Sequence, residues 1–409
     1  MSSPQVLFVS GKHPIREVGG FGHSIYVRAH ARAATLAGYE PHIFCAGESD
    51  AIEPEPFGIV HQLASTHPAR QSELNALGPP FARALIDAAM ARAAGEPVLI
   101  HAFGAWSYAG ALALEHLRRR GRRAVMVVSS YTTHVDESRA MLAGAVAGDD
   151  RSNRWRFLRE YLWSLTVVDG YERRGYRAAH VVAVNYDAVG RAIRRRHGVG
   201  VRIERARYSS DDAFLRRAAT VAPVSDDDPP RIVCVSGHFE RKGTDVLLRA
   251  CALLRERGVR FRADLVGGGA LLASDRALAE RLRLGDCVDI LGIVPDVHPY
   301  LARADVYTLP SRSEQSGSLA LIEALEAGLP VVASACDGIP EDLDGSEAGI
   351  LVAPGDPVEL AGALERLLAD PAERERRSAA ARARFSERFS PDAFASDIGR
   401  IYAEALASV

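Results

Sequence analysis

Lysine is almost absent from this 409-residue sequence. Only Lys12 and Lys242 are lysines among 50 basic residues, so nearly all positive charge is carried by arginine. Acidic residues number 52, and the net charge of −2 excludes the global positive field typical of nonspecific nucleic-acid binding. The arginine bias is most simply genomic composition. Lys242, in GHFERKGTD at 237–245, is a lysine in spite of this bias and is therefore a candidate for a specific role.

Paired cysteines and long apolar runs are missing as well. The five cysteines are scattered without a C-x-x-C spacing, which favours buried, reduced thiols over a redox or zinc motif. No stretch approaches about 18 uninterrupted apolar residues, so we expect no transmembrane helix. The first residues, MSSPQVLFVSGKH, lack the basic and apolar regions of a signal peptide. These absences predict a cytoplasmic protein.

Short apolar runs alternate with helical periodicity along the chain. QVLFVS at 5–10 is typical of a strand, and SIYVRAHARAATLAG at 24–38 is typical of a helix that ends at a glycine. The alternation stops at 217–230, RAATVAPVSDDDPP, and restarts at RIVCVS. Such repeated alternation predicts an α/β fold with two doubly wound parallel-sheet (Rossmann-like) domains.

The predicted domain bounds follow from that interruption. We expect a first domain at 1–217, a linker at 218–230 and a second domain at 231–390, with the final helix at 391–409 completing the first domain. Ligands of such sheets bind beyond the carboxyl ends of the strands. We therefore expect the two domains to face a central cleft that holds the site.

Three loops between a strand and a helix carry small or charged residues. They are GGFGHS at 19–24, SGHFERKGTD at 236–245 and SRSEQSGS at 311–318. Glycines allow a ligand to approach the backbone, and a helix N-terminus offers free N–H groups to an anion. Lys242 would add a point charge suited to a phosphate. Each loop alone also fits a tight turn or a solvated charge.

Together with longer motifs, these loops resemble one family, the retaining nucleotide-sugar glycosyltransferases of the GT-B fold in the GT4 group. The motifs are GGFG, IHAFG, TTHVD, SGHFERKGTDVLLRA, VGGG, LGIVPDVHPYLARADVYTLPSRSE and IEALEAGLPVVASACDGIPE, and they cover nearly the whole chain. The last two are long and specific, which makes the resemblance much stronger than a lone glycine motif.

The resemblance implies roles for individual residues. Lys242 would contact the donor diphosphate, Glu314 a sugar hydroxyl and Glu323 the ribose hydroxyls, while His134 would lie near the transferred sugar. The implied catalytic residues are His134, Lys242 and Glu314; the implied donor-binding residues are Gly20, Gly22, His238, Arg241, Gly268, Ile293, Gln315, Ser316, Gly317, Ser318, Leu319 and Glu323. Acceptor-side candidates are His101, Trp106, Tyr108 and Tyr131, with Trp155 and Trp163 beside them. A buried structural role stays open for His101, His134 and the aromatic residues.

The sequence departs from the family pattern in three places. His238 stands where an arginine is usual, and Arg241 is the candidate replacement. RYSSDDAF at 207–214 replaces the usual PNGVD. Eight residues instead of seven separate Glu314 from Glu323. We expect the extra residue to form a bulge in the loop EQSGS, so that Glu314 still reaches a sugar hydroxyl. The alternative is that Gln315 makes that contact instead.

The function implied is transfer of a sugar from a nucleoside diphosphate donor to a hydroxyl of a small-molecule, glycan or lipid acceptor. No cofactor is expected, and no metal, because no metal-binding Asp-x-Asp motif appears where this family would need one, so fixed cations would stabilise the leaving group. The alternatives are a non-catalytic sugar-nucleotide-binding protein or partner subunit of the same fold, and an epimerase of that fold. Residues 151–217 hold 16 arginines against seven acidic residues, which fits peripheral membrane contact or a solvated helical face.

Overall fold

The computed structural model describes residues 4–11, 13–14, 22–64, 74–147, 151–198, 200, 202–209, 229–314 and 317–409. The chain divides into two compact units. The first comprises Met1–Ala140, Trp155–Asp211 and Ser390–Val409, and the second comprises Met141–Arg154 and Asp212–Phe389. The predicted linker at 218–230 lies outside the described residues except for its last two.

A sheet of eight described strands forms the centre of the first unit, in the order β3-β4-β2-β1-β5-β6-β7-β8. All neighbours pair in parallel except β3 and β4, which form an antiparallel edge that the sequence did not predict. Every residue of the two strands after β4 is buried, as expected where helices cover both faces of a parallel sheet. The strands are β1 (Gln5–Val9), β2 (Glu40–Gly47), β3 (Ala51–Glu55), β4 (Gly58–Ala64), β5 (Val98–Phe103), β6 (Ala124–Ser130), β7 (Val181–Val184) and β8 (Ile203–Arg205).

Helices follow most of these strands, as the alternation predicts. A π-helical turn, Ser164–Val168, joins two of them into one continuous helical stretch. The helices are α1 (Gly22–Leu36), α2 (Leu74–Met90), α3 (Ser107–Arg119), α4 (His134–Ala147), α5 (Arg151–Trp163), α6 (Asp169–Ala178) and α7 (Asp187–His197).

The second unit is built on a parallel sheet of six described strands in the order β11-β10-β9-β12-β13-β14. The change of direction between β9 and β12 is the topological switch point at which ligands of open α/β sheets bind. The strands are β9 (Arg231–Val235), β10 (Arg262–Val266), β11 (Val288–Gly292), β12 (Val306–Leu309), β13 (Val331–Ser334) and β14 (Gly349–Val352). The helices are α8 (Thr244–Glu256), α9 (Leu272–Arg281), α10 (His298–Ala302), α11 (Leu319–Glu326), α12 (Ile339–Leu343), α13 (Pro357–Ala369) and α14 (Pro371–Arg388).

The last helix, α15 (Pro391–Leu406), packs on the first unit. Its fully buried side chains, Ile398 and Tyr402 among them, share a core with Val27 on α1. Asp397 accepts hydrogen bonds from Arg207 Nε and Arg207 Nη2, both at 2.8 Å, and this bidentate ion pair fixes the helix to the end of the sheet. Among the described residues, every helix is too short or too polar to cross the hydrocarbon core of a bilayer.

Gly243 provides a test of how tightly the second unit is packed near its switch point. Its φ is +67°, and a Cβ there would lie 2.1 Å from the carbonyl oxygen of Pro310. Gly258 has a similar φ of +75° with open space around it. We expect Gly258→Ala to cost about 1 kcal/mol from backbone strain, and Gly243→Ala to cost at least about 1 kcal/mol more from the clash. Urea unfolding of both variants measures the difference; equal losses would contradict the close approach.

Candidate functional site

Two loops meet at the switch point of the second unit, one after β9 and one after β12. The backbone N–H groups of Arg312 and Ser313 donate to the carbonyl of Arg241 at 2.7 and 3.1 Å. The Arg312 guanidinium forms two hydrogen bonds to Asp245 at 2.7 and 2.9 Å. Main-chain and bidentate side-chain contacts thus fix the two loops to each other.

Lys242 and Glu314 form an ion pair between these loops. Lys242 Nζ lies 2.7 Å from Glu314 Oε1 and 2.5 Å from Oε2, and the Ser311 hydroxyl donates to Oε1 as well. The Glu314 side chain is only 1% exposed and that of Lys242 is 14% exposed. The structure therefore brings together two of the predicted catalytic residues. Glu314, as placed, is the counter-ion of Lys242, and its contact with a sugar hydroxyl stays a prediction.

Burial and the neighbouring charges act on Lys242 in opposite directions. Burial lowers the pKa of its ammonium group, while the Glu314 carboxylate raises it and Arg241 lowers it further. Arg241 Nη1 lies 4.0 Å from Glu314 Oε2, and its side chain is 38% exposed. Two cations, Lys242 and Arg241, thus lie around the buried Glu314 carboxylate, and the side chain of Arg241 is partly exposed. Exposed positive charge beside this pair suits a polyanion such as a diphosphate.

His238 turns away from this cluster. Its Nδ1 is 2.7 Å from Asp275 Oδ2, and the side chain is 1% exposed. Its main-chain N–H donates to the carbonyl of Gly268 at 3.0 Å, which ties the loop after β9 to the loop after β10. As placed, the ring supports these loops and offers no surface to a donor. Arg241 is therefore the better candidate for the second cation.

Two further predicted residues lie against each other after β10 and β11. A Cβ on Gly268 would lie 2.6 Å from Ile293 Cγ1, so the isoleucine packs directly over the glycine backbone. The Ile293 side chain is nevertheless 77% exposed. An exposed aliphatic side chain over an open glycine loop presents an apolar surface on which a planar base can stack.

Helix α11 begins beside the ion pair. Ser318 precedes it in an extended conformation, and Gly317 has a φ of 113°, which favours glycine. The first N–H groups of this helix have no partner within it, and they create an anion-binding end. Gln315 and Ser316 lie outside the described residues, so the choice between Glu314 and Gln315 stays a prediction.

Glu323 lies one turn after Leu319 on the same helix. Burial raises the pKa of its carboxyl group to about 8, with a smaller effect from Glu326. The group is therefore mostly protonated at neutral pH. A pair of hydroxyls that donate to it would stabilise the ionised form and release the proton.

Several residues around the ion pair were not predicted. Ser311 hydrogen-bonds Glu314, Asp275 holds His238, and Asp337 Oδ2 accepts the backbone N–H of Glu314 at 2.7 Å. Asp275 and Asp337 support predicted residues from distant parts of the chain, so no spacing in the sequence marks them, whereas Ser311 lies three residues before Glu314 in the same loop. In the part of the chain that the structure describes, no group of three histidine, cysteine or acidic side chains is arranged to hold a metal ion.

Among the predicted residues of the first unit, His101 lies in a buried hydrogen-bond network. His101 has no exposed surface; its Nδ1 lies 2.6 Å from the Tyr402 hydroxyl and its Nε2 lies 2.9 Å from the Ser129 hydroxyl. Ser129 also bonds His30 at 3.0 Å, and Tyr131 reaches the same His30 ring at 3.0 Å. Burial lowers the pKa of His101 well below its usual value. The structure favours the structural role that the sequence left open for His101.

Trp106 and Tyr108 are packed by neighbouring aromatic rings. Trp106 is buried beside Phe81 with ring centres 5.3 Å apart. Tyr108 stacks on Tyr171 at 4.3 Å. An acceptor contact by either ring stays a prediction.

Gly20 lies outside the described residues, and Gly22 is the first residue of α1.

His134 is the first residue of α4 and is 7% exposed. Its ring meets that of Trp163 edge-on, with centres 5.9 Å apart. Burial lowers its pKa to about 4, so the ring is neutral at physiological pH. Its Nε2 is buried without a hydrogen-bond partner among the described residues. A neutral, unpartnered ring nitrogen can accept or donate one hydrogen bond to a ligand hydroxyl.

Comparisons with known proteins agree with this interpretation of the second unit. Residues 229–370 match the family model of the glycosyl transferases group 1. Within these residues the chain is similar to the group 1 glycosyl transferases. The chain is 37% identical over 146 residues to the amylovoran biosynthesis glycosyltransferase AmsK of Erwinia amylovora, covering 34% of this chain and 36% of AmsK. It is 34% identical over 152 residues to a GDP-mannose-dependent phosphatidylinositol monomannoside mannosyltransferase of Mycolicibacterium smegmatis, covering 35% and 40%. The matches thus span only about a third of these relatives.

Solved structures extend the likeness from the group 1 domain to the whole chain. Sucrose-phosphate synthase from Thermosynechococcus elongatus matches with a TM-score of 0.73 at 24% identity, covering 99% of this chain and 100% of that one. Anabaena HepE, solved with UDP and glucose, matches with a TM-score of 0.64 at 19% identity, covering 99% of each chain. At such low identity these likenesses show the fold alone. They confirm the predicted GT-B fold of two parallel-sheet α/β domains.

The ion pair in the group 1 domain makes a testable contribution to stability. Lys242→Met leaves the Glu314 carboxylate buried without its cation, which typically costs about 3 kcal/mol or more. Lys242→Met combined with Glu314→Gln removes both charges, so we expect it to recover at least half of that loss. Urea unfolding of the single and double variants measures the coupling. Additive losses would show that the two side chains do not interact.

Proposed function

We propose that the protein transfers a sugar from a nucleoside diphosphate donor to an acceptor hydroxyl, with retention at the anomeric carbon and without a metal ion. The observation that carries the proposal is the cation cluster at the switch point, where Lys242 and Arg241 surround Glu314 next to the start of α11. The names of the relatives support a nucleotide-sugar donor, because one is GDP-mannose-dependent and one structural neighbour was solved with UDP. They differ in the base, so the proposal names none.

The proposed chemistry breaks the bond between the anomeric carbon and the β-phosphate oxygen and forms one to the acceptor oxygen. The acceptor proton passes to the leaving phosphate on the same face, so no protein base is required. Negative charge grows on the diphosphate as that bond breaks. Lys242, Arg241 and the free N–H groups at the start of α11 would stabilise it, and Glu323 would hold the ribose hydroxyls. His134 would contact the transferred sugar, a role carried over from the family.

Replacing Lys242 tests this proposal. We expect Lys242→Ala to lower kcat by roughly 100-fold with a smaller change in donor KM, because the charge acts most on the departing phosphate. Lys242→Arg should restore only part of the rate. Arg257 forms only an exposed ion pair with Glu365, so Arg257→Ala is the control and should leave the rate unchanged. The measurement is release of nucleoside diphosphate from UDP-glucose and GDP-mannose.

Three outcomes of that assay bear on the alternatives. Turnover that survives EDTA supports the metal-independent mechanism, and loss of turnover restored by Mg²⁺ contradicts it. A donor that binds in a thermal-shift assay without turnover, with or without candidate acceptors, would favour the non-catalytic sugar-nucleotide-binding protein. A donor returned as its isomer would favour the epimerase. If the Lys242→Ala variant keeps the full rate of turnover, the charge of Lys242 has only a structural role.

We also propose that helix α5 and the π-helical turn contact an anionic membrane surface. Trp155 is 76% exposed, Leu162 51% and Leu165 37%, and Trp155 and Leu162 lie seven residues apart on one face. Arg156 and Arg159 are exposed beside them, and neither pairs with a carboxylate in the part of the chain that the structure describes. Aromatic, aliphatic and arginine side chains on one face are typical of helices that lie in a membrane interface.

Vesicle binding tests this contact. We expect the protein to co-sediment with phosphatidylglycerol-containing vesicles more than with pure phosphatidylcholine, and to dissociate at high salt, because each arginine near the surface contributes about 1 kcal/mol. The Trp155→Ser, Leu162→Ser double variant should bind at least tenfold more weakly. Ile52 is 69% exposed on β3 and serves as the control in Ile52→Ser. Equal binding to neutral vesicles would contradict the proposal.

A further inference from the structure

We propose that Glu172 positions His134 by binding the backbone at the start of helix α4. This inference rests on the proposed function, in which His134 contacts the transferred sugar. The carrying observation is a hydrogen bond of 3.0 Å from the backbone N–H of His134 to Glu172 Oε1. The two residues are 38 positions apart in the sequence, and Glu172 is only 1% exposed.

The start of α4 is held by two different devices. Thr133 and Asp136 bond each other, since the Thr133 hydroxyl donates to Asp136 Oδ2 at 2.6 Å and accepts the Asp136 N–H at 3.2 Å. That local arrangement satisfies the N–H of Asp136 but not that of His134. Glu172 supplies the acceptor for the His134 N–H from another helix. The backbone of His134 is thus fixed from outside its own helix.

A hydroxyl chain connects the same carboxylate to the loop before His134. Tyr176 donates to Glu172 Oε1 at 3.4 Å, and its hydroxyl lies 3.0 Å from that of Ser130. The Ser130 hydroxyl donates to the carbonyl of Thr132 at 3.1 Å. Glu172 therefore restrains the segment from the end of β6 to the start of α4 at two points.

Among the described residues, no cation within hydrogen-bond distance explains why this carboxylate is buried. The Nε2 of His197 lies 3.9 Å from Glu172 Oε2, which is too far for a hydrogen bond. Arg173 and Arg196 bind the neighbouring Asp169 instead. In the described part of the chain, the hydrogen bonds to Glu172 thus come from the His134 backbone and Tyr176. Replacing a buried charged group by an apolar side chain of similar volume is often neutral or stabilising, so packing alone does not account for an acid here.

The helix that carries Glu172 has an irregular register. The π-helical turn Ser164–Val168 ends immediately before α6, and Glu172 is the fourth residue after it. A π-helical turn adds residues to the helix and so rotates the next helical residues about the axis. Such turns are frequently found at functional sites. This one sets the direction in which Glu172 meets α4.

Burial raises the pKa of Glu172 to about 8, with Asp169 and Glu137 adding to the shift and the His134 N–H opposing it. The group is therefore mostly a neutral acid near pH 7, and its carbonyl oxygen can still accept from the N–H. Glutamine keeps that acceptor in a neutral side chain of similar shape. Leucine removes it. The pair Glu172→Gln and Glu172→Leu thus separates the hydrogen bond from packing.

The experiment combines donor turnover with NMR of ¹⁵N-histidine rings in the full chain, with the His134 signal assigned from His134→Gln. We expect Glu172→Leu to lower kcat at least tenfold with donor KM within twofold, and to shift the His134 ring signal. Glu172→Gln should keep kcat within threefold and leave that signal in place. Asp169→Asn, a buried carboxylate one turn away, is the control and should change neither. Tyr176→Phe should shift the His134 ring signal and lower kcat about threefold. If Glu172→Leu does not fold, Tyr176→Phe serves as the test of the positioning role.

The outcomes separate the two proposals. A His134 signal that stays in place in Glu172→Leu, or in Tyr176→Phe where Glu172→Leu does not fold, overturns the positioning role. Equal loss of kcat in Glu172→Leu and Asp169→Asn overturns it too, because it would reflect general packing. If the wild-type protein turns over no nucleotide sugar while the signal still moves, the transferase proposal fails and the placement of His134 by Glu172 stands.

Discussion

The buried ion pair of Lys242 and Glu314 is the interaction on which the second unit's site depends. A carboxylate that is 1% exposed needs a cation, and the nearest ammonium group comes from a loop 72 residues earlier in the chain. Burying both charges is expensive unless the remaining lone pairs are also bonded, which the Ser311 hydroxyl and the close geometry provide. The pair therefore fixes the distance between the loops after β9 and β12. It also fixes where the charge of Lys242 can act.

This arrangement answers why a lysine persists in an arginine-rich chain. The ammonium group is compact and places all of its charge within 2.7 Å of both Glu314 oxygens. A guanidinium is planar and larger, and Arg241, with its side chain 38% exposed, already occupies the outer side of the cluster. Two arginines would compete for the same buried carboxylate. The compact ammonium group thus fits the space beside Glu314, and its charge would suit the diphosphate of the proposed donor.

The sequence predicted the strands and helices well where their periodicity is strong. The run QVLFVS became β1, and the predicted helix at 24–38 became α1. The antiparallel edge of β3 and β4 was missed because AIEPE is short, polar and contains a proline, so nothing in it is typical of a strand. Asp275 and Asp337 were missed for another reason. Their roles depend on contacts between distant parts of the chain, which a single sequence does not reveal.

Three largely buried carboxyl groups are accommodated in two ways. Glu314 is paired with a cation. Glu172 and Glu323 are held mostly as neutral acids, because burial raises the pKa of each to about 8. Glu314 and Glu172 also accept hydrogen bonds from distant parts of the chain, so they hold other residues in place. Hydroxyl donors from a ligand would stabilise the ionised form of Glu323, and this property suits it to the donor-binding role proposed for it.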